Sequence, residues 1–238
     1  MKILKSLLLL SAIVFFASCS KDAPTAQLTF EHLADGTPVQ SGNLHRIGED
    51  GKLATFSSVQ FYIHNLRMIK TGGEEFEISG THYIDLDNTS IDLGEIDADS
   101  YTAIKFNVGV DSVNNHLDIA LLPESDPLSF KKPSMHWSWQ AGYRFVSLNG
   151  YYDGNGDGMV SETDSLLQLH IGNDAYLRET TVSYALEAAE EEDYDLNIKV
   201  DYADLFNYDI TDFPIVKTGM INERNTKIAD AIPSIFSR

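Results

Sequence analysis

The chain has 238 residues, with 17 basic side chains against 36 acidic ones, a formal charge of −19 and 43% hydrophobic residues. So acidic a surface repels a polyanion, which excludes nucleic acid as a partner, and most of the excess reads as a solubilising face. A single cysteine permits no internal disulfide and excludes a thiolate-rich metal cluster, so packing must stabilise the sizeable core that a chain of this length can bury.

The first segment, 1–18, reads as an export leader: Lys2 and Lys5 supply the positive start, and Leu7 to Ala17 forms an apolar run too short to span a bilayer permanently. Cys19 follows Phe-Ala-Ser, which resembles the lipobox of bacterial lipoproteins. Lipidation is therefore expected at Cys19, with 19–26 as the lipidated N-terminus and linker. Ser20 rather than Asp follows the cysteine, so the expected address is the outer membrane of a bacterial cell envelope, periplasmic or surface-facing, held by its lipid anchor.

From 27 to 238 the chain reads as one all-β domain, a β-sandwich. Segments rich in β-branched and aromatic residues recur between Gly, Asn and Asp clusters, and predict strands over 27–31, 58–69, 82–85, 102–110, 144–151, 166–171, 180–186 and 194–200. In 102–110, Ile104, Phe106, Val108 and Val110 alternate with Lys105, Asn107 and Gly109, the period of a half-buried strand. The acidic run 187–195 reads as an exposed loop. Helix is scarce: a short turn is expected over 202–208, and a short C-terminal helix over 225–232, capped by Asn225 or Thr226 and ended by Pro233.

Between two of these strands, 153–164 reads Asp-Gly-Asn-Gly-Asp-Gly-Met-Val-Ser-Glu-Thr-Asp, the spacing of a calcium loop. Asp153, Asn155, Asp157, the Met159 carbonyl, Ser161 and Asp164 would recur as oxygen ligands, with Gly158 at the sharp turn. Asp stands where Glu is usual at the twelfth position, and a strand precedes the loop. A calcium ion there would stiffen a hairpin and would not act as a sensor.

The densest chemistry is Ser134 to Gly142, where His136, Trp137 and Trp139 fall within four positions and include both tryptophans of the chain. Indole offers one N–H donor and no acceptor, so two such rings beside an imidazole make packing, a stacking surface or a metal pocket. Seven histidines are spread from His32 to His170, none at helical ligand spacing, so a metal site must be assembled from different strands. Hydrolase chemistry has no support: there is no Gly-x-Ser-x-Gly elbow, no zinc-protease pattern and no cysteine besides Cys19. Binding without turnover is the expectation.

Five segments, 28–39, 59–68, 106–115, 135–143 and 169–172, together resemble the MbnP-like family of exported copper-binding proteins, over nearly the whole chain after the leader. The resemblance implies copper held by imidazoles and by a tryptophan oxidised to kynurenine, the oxidation being done by a partner dihaem cytochrome c peroxidase-like protein. His32 and His170 match the family's histidines, and Trp137 and Trp139 match its tandem tryptophans. His136 joins them by adjacency. His64 falls in a strand slot where a small polar residue is expected. Imidazole suits copper, and ring opening would turn an indole without a lone pair into an amine and a carbonyl that can reach a metal. A calcium-stabilised sandwich binding glycan or protein through the aromatic pair is the alternative reading.

Overall fold

A computed structural model of the chain describes residues 21–40, 42–138, 141–218 and 220–238. The expected leader, Cys19 and Trp139 lie outside the described residues. In chain order the strands are β1 (Thr25–Ala34), β2 (Thr37–Pro38), β3 (His45–Ile47), β4 (Lys52–Lys70), β5 (Glu75–Asp85), β6 (Ser90–Glu95), β7 (Ser100–Val108), β8 (His136–Ser138), β9 (Gly142–Tyr152), β10 (Ser165–Gly172), β11 (Arg178–Glu187), β12 (Asp193–Asp201), β13 (Ile215–Lys217) and β14 (Phe236–Ser237). Two short helices, α1 (Ser112–Asn115) and α2 (Glu223–Asp230), complete the regular elements together with 3₁₀ turns.

The strands form two sheets packed as a sandwich. The smaller runs β14-β12-β1-β2, with β6 also paired to β1; the larger runs β11-β7-β4-β9-β10-β13, with β3 and β5 on β4 and β8 on β9. Strand β4 is the spine of the larger sheet, pairing β9 through its first half and β7 through its second. It bends at a register shift where Asn65 takes a positive φ of 54°.

Alternation along the strands places the core. Leu28 and Phe30 of β1 face Val59, Phe61 and Ile63 of β4, with Phe106 of β7 and Leu169 of β10, all buried in one cluster between the sheets. Phe30 meets Phe61 and Phe106 edge-on at 5.6 and 6.2 Å. Such contacts add about 0.5–1.5 kcal/mol each beyond the area they bury. His32 lies two residues beyond Phe30 on the same face, so it points into this core, stacked on Tyr202 with its Nδ1 2.6 Å from the Tyr202 hydroxyl.

The outer face of the larger sheet is also covered. Gly109, at φ 128°, turns the chain out of β7, where a Cβ would lie 2.6 Å from the Phe145 ring. The excursion that follows, as far as β8, packs Val110, Ile119, Leu128 and Met135 over Tyr62, Tyr143 and Phe145 to make a second buried cluster.

Three expectations are corrected. The strand read as 102–110 ends at Val108, because Gly109 leaves the sheet and Val110 joins the second cluster. The C-terminal helix begins at Glu223 and is capped by Asn222, whose side chain accepts from the Asn225 amide at 2.9 Å. Asn225 is instead buried and donates to the Met220 carbonyl at 2.8 Å. The acidic run is not all loop either: Asp193 to Asp195 open β12.

Two predictions concern this core. The Tyr62 hydroxyl is buried with no hydrogen-bond partner among the described residues, whereas Tyr143 donates to the Leu128 carbonyl at 2.8 Å. Tyr62→Phe is therefore expected to leave urea stability unchanged or raise it by about 1 kcal/mol, while Tyr143→Phe lowers it by about 1 kcal/mol; the opposite ranking would refute the packing. Burial pushes His32 down to about 4 against an opposing contribution from Asp85. The unfolded chain binds that proton near 6.5, so His32 contributes stability above about pH 6.5 that is lost as the pH falls toward about 4. Urea midpoints recorded across that window should slope less steeply for His32→Gln than for wild type.

Candidate metal centre

Strand β10 carries apolar Leu167, Leu169 and Ile171 into the core, so His170 between them projects from the opposite, outer face of the larger sheet. It is nonetheless buried, at 3% exposure. Its Nε2 lies 2.8 Å from Asn149 Oδ1 on β9, and its Nδ1 is buried without a partner among the described residues. Burial, then the positive charges of Arg144 and Lys217, push the imidazole down to about 3. It is neutral at neutral pH, the protonation state a metal ligand needs.

The His-Trp-Ser motif forms β8, which folds back on the start of β9 with His136 opposite Tyr143. Asn115, at 1% exposure in α1, fixes this hairpin: its Oδ1 accepts from the Tyr143 amide at 2.7 Å, and its Nδ2 donates to Asp174 just beyond β10 at 2.6 Å. Asp174 also accepts from Ser112 at 2.6 Å, so one carboxylate ties α1 to the end of β10. The Met135 carbonyl accepts from the Arg144 amide at 2.7 Å, and the Ser134 carbonyl from Arg144 Nη1 at 2.6 Å.

Within that frame Trp137 is half-buried and lies over Gly172, where a Cβ would come 2.8 Å from its ring and 2.4 Å from the Tyr143 carbonyl. The Arg144 guanidinium sits 5.7 Å from the Trp137 ring and is close enough to depress His170. Trp137 and His170 therefore share Arg144 as a neighbour. His136 turns its ring edge-on to Tyr143 at 5.0 Å, and desolvation lowers its pKa.

The structure does not bring His32 to this place. It lies between the sheets, and His170 lies on the far side of the larger one. The expected gathering of His32, His136 and His170 is not formed: among the described residues no three His, Cys, Asp or Glu side chains cluster to hold a metal. The sequence carried the signal for this separation, because His32 is in phase with Leu28 and Phe30 whereas His170 is out of phase with Leu169 and Ile171. His64 faces Asp111, the N-cap of α1, at 3.6 Å.

The calcium-type loop does connect β9 to β10 as a hairpin, and its side-chain oxygens accept from its own backbone. Asp153 accepts from the amides of Gly156 at 2.6 Å and Gly158 at 2.9 Å, Asn155 Oδ1 from Asp157 at 2.9 Å, and Asp157 Oδ1 from Met159 at 2.9 Å. Asp164 Oδ2 accepts from both the amide and the hydroxyl of Ser161 at 2.8 Å. Asp153, Asp157 and Asp164 accordingly do not converge on a cation site. These bonds suffice to close the turn.

Sequence reasoning passed over Asn149, Arg144, Asn115 and Asp174. A polar residue recurring at every second position of an otherwise apolar β9, as Ser147 and Asn149 do, was the available sign of a second working face.

The family model described as MbnP matches residues 23–223. The solved structure of MbnP from Methylosinus trichosporium superposes with a TM-score of 0.57 at 18% identity, covering 84% of this chain and 82% of that chain, a likeness of fold. None of the curated proteins matches. With that model running from the residues before β1 to the first turn of α2, the chain belongs to the MbnP family.

Proposed function

We propose that this protein is a lipid-anchored, extracytoplasmic copper-binding protein of the bacterial cell envelope, held at the outer membrane, that acquires, stores or delivers copper without catalytic turnover. The observation that carries the reading is His170: a neutral, buried imidazole with one ring nitrogen unpartnered among the described residues, near Arg144 as Trp137 is. Membership of the MbnP family supports it from the other side.

An imidazole lone pair that is neither protonated nor hydrogen-bonded fits copper, which outcompetes the other divalent first-row ions at nitrogen ligands. The chain's own groups then have defined roles. His170 supplies a nitrogen, with His136 as the second candidate from the neighbouring hairpin. Trp137, and Trp139 two positions on, are the candidates for oxidation to kynurenine by a dihaem cytochrome c peroxidase-like partner, which would add an amine and a carbonyl. Arg144, bonded to the Ser134 carbonyl and lying against the Trp137 ring, holds the hairpin down on β10. Tyr143, part of the second core cluster, packs edge-on against the His136 ring and fixes one side of it.

Equilibrium dialysis against copper with elemental analysis tests the proposal. Wild type is expected to retain copper, His170→Ala to lose it by about 100-fold or more in affinity and His136→Ala by about 10-fold, with His32→Gln unchanged. Equal retention by wild type and His170→Ala would sink the assignment. Maturation is read separately by intact mass: protein isolated from its own envelope should be about 4 Da heavier than the same chain made without a haem partner, the difference between kynurenine and tryptophan. Peptide mapping then places the added mass on Trp137 or Trp139.

A further inference from the structure

Where β4, β9 and β10 run side by side, the outer face of the larger sheet carries a row of polar side chains. Asn149 of β9 pairs across to Ser58 of β4 on one side and Gln168 of β10 on the other. Its Nδ2 donates to Ser58 Oγ at 2.8 Å, and its Oδ1 accepts from His170 Nε2 at 2.8 Å and Gln168 Nε2 at 3.2 Å. A weaker contact runs from Nδ2 to Ser147 Oγ at 3.5 Å. Both ends of the amide are therefore employed, the amino group on hydroxyls and the carbonyl on two nitrogen donors.

A neutral imidazole has one N–H and one lone pair, so what Asn149 does at Nε2 decides what Nδ1 is. With the carbonyl toward the ring, Nε2 carries the hydrogen and Nδ1 keeps the lone pair. With the amide reversed, Nε2 would accept and the hydrogen would sit on Nδ1, a buried position with no partner among the described residues. A buried donor left without an acceptor loses its hydration and regains nothing, whereas an unshared lone pair is what a metal uses. Ring orientation by a hydrogen bond to the nitrogen away from the metal is the general device by which proteins aim a histidine ligand.

We infer that Asn149 is a positioning residue for copper, its side-chain carbonyl holding His170 in the Nε2–H form so that Nδ1 is the atom presented to the metal. The inference rests on the copper reading above and adds to it the ligating atom and the group that selects it. Ser58 acts one step further out, its hydroxyl taking the amino end of the Asn149 amide at 2.8 Å.

Long-range ¹H–¹⁵N correlation on the metal-free, histidine-labelled protein near neutral pH reads the tautomer directly. Wild type is expected to show His170 with Nε2 protonated and Nδ1 bare. Asn149→Asp keeps an acceptor and should keep both that tautomer and copper affinity within about threefold, while Asn149→Leu should give mixed tautomers and lose about 10–100-fold in affinity for copper(I) or copper(II), each added alone against a chromophoric competing chelator. A purely structural Asn149 would lower stability without moving the tautomer. The wild-type spectrum needs no variant to fold, and a His170 found with its hydrogen on Nδ1 overturns the inference at once. Equal copper affinity in wild type and Asn149→Leu overturns the role of Asn149 and leaves the copper reading standing. A wild type that holds the Nε2–H form yet takes up neither copper ion overturns the copper reading and, with it, the metal half of this inference.

Discussion

The alternation of side chains along β4 is the constraint from which the rest of the molecule follows. The strand pairs with β3, β5, β7 and β9, so its pleat sets the phase of the larger sheet. Val59, Phe61 and Ile63 face the core between the sheets, and Ser58, Gln60 and Tyr62 are thereby sent to the outer face. A slip of one residue would exchange the two sets, driving Ser58 and Gln60 between the sheets and pulling Val59, Phe61 and Ile63 out of the main core. At about 25 cal/mol per Å² of apolar surface, no realistic gain elsewhere offsets that loss. The same phase determines that β9 turns Val146 and Leu148 inward and Ser147 and Asn149 outward, and that β10 turns His170 out with them.

An outer face so populated cannot stay bare, because Tyr62, Tyr143 and Phe145 are too large and too apolar to leave in water. The long excursion from Gly109 to β8 covers them, and in doing so brings the His-Trp-Ser hairpin to the edge of the covered area, where it meets the end of β10. The polar bonds among Asn115, Asp174 and the Tyr143 amide then fix the angle of approach. Desolvation opposes ionisation of Asp174, but its bonds to Ser112, Asn115 and His116 more than compensate and hold its pKa below the usual carboxylate value. Packing therefore chooses the place of the hairpin, and hydrogen bonds choose its orientation. Trp137 can come so close to β10 only because residue 172 is glycine.

The long strands were legible in the residues, since a period of two in Ile104, Phe106 and Val108 or in Leu167, Leu169 and Ile171 has no other reading. The short strands were not. β3, β8 and β13 are each three residues long, and what makes them strands is the partner alongside rather than any pattern of their own. Cap chemistry was misread for a related reason: Asn222 and Asn225 are the same residue type three apart, and which one caps depends on which is extended and which is buried, a tertiary matter. The histidines divide in the same way. Their identity marked them as candidates, and their phase against apolar neighbours already separated His32 from His170, but the role of Asn149 emerges only when β9 and β10 are set side by side. Asp153 to Asp164 illustrates the limit of spacing, because side chains with the periodicity of a cation loop can equally satisfy the amides of the turn that carries them.

The electrostatics of the site run against those of the whole. A chain of net charge −19 draws cations to its surface indiscriminately, yet the groups flanking His170 are Arg144 and Lys217, both positive, and its nearest polar partner is a neutral amide. A hard cation such as calcium or magnesium gains little there, for it would surrender hydration and meet two like charges. A metal bound through this imidazole would have to recover that cost from the nitrogen bond itself, which first-row divalent ions do in an order that peaks at copper. On the copper reading proposed above, the local positive charge would act as a filter inside an attractive envelope: the acidic surface raises the concentration of every cation, and the two basic residues would reject those whose affinity is purely electrostatic.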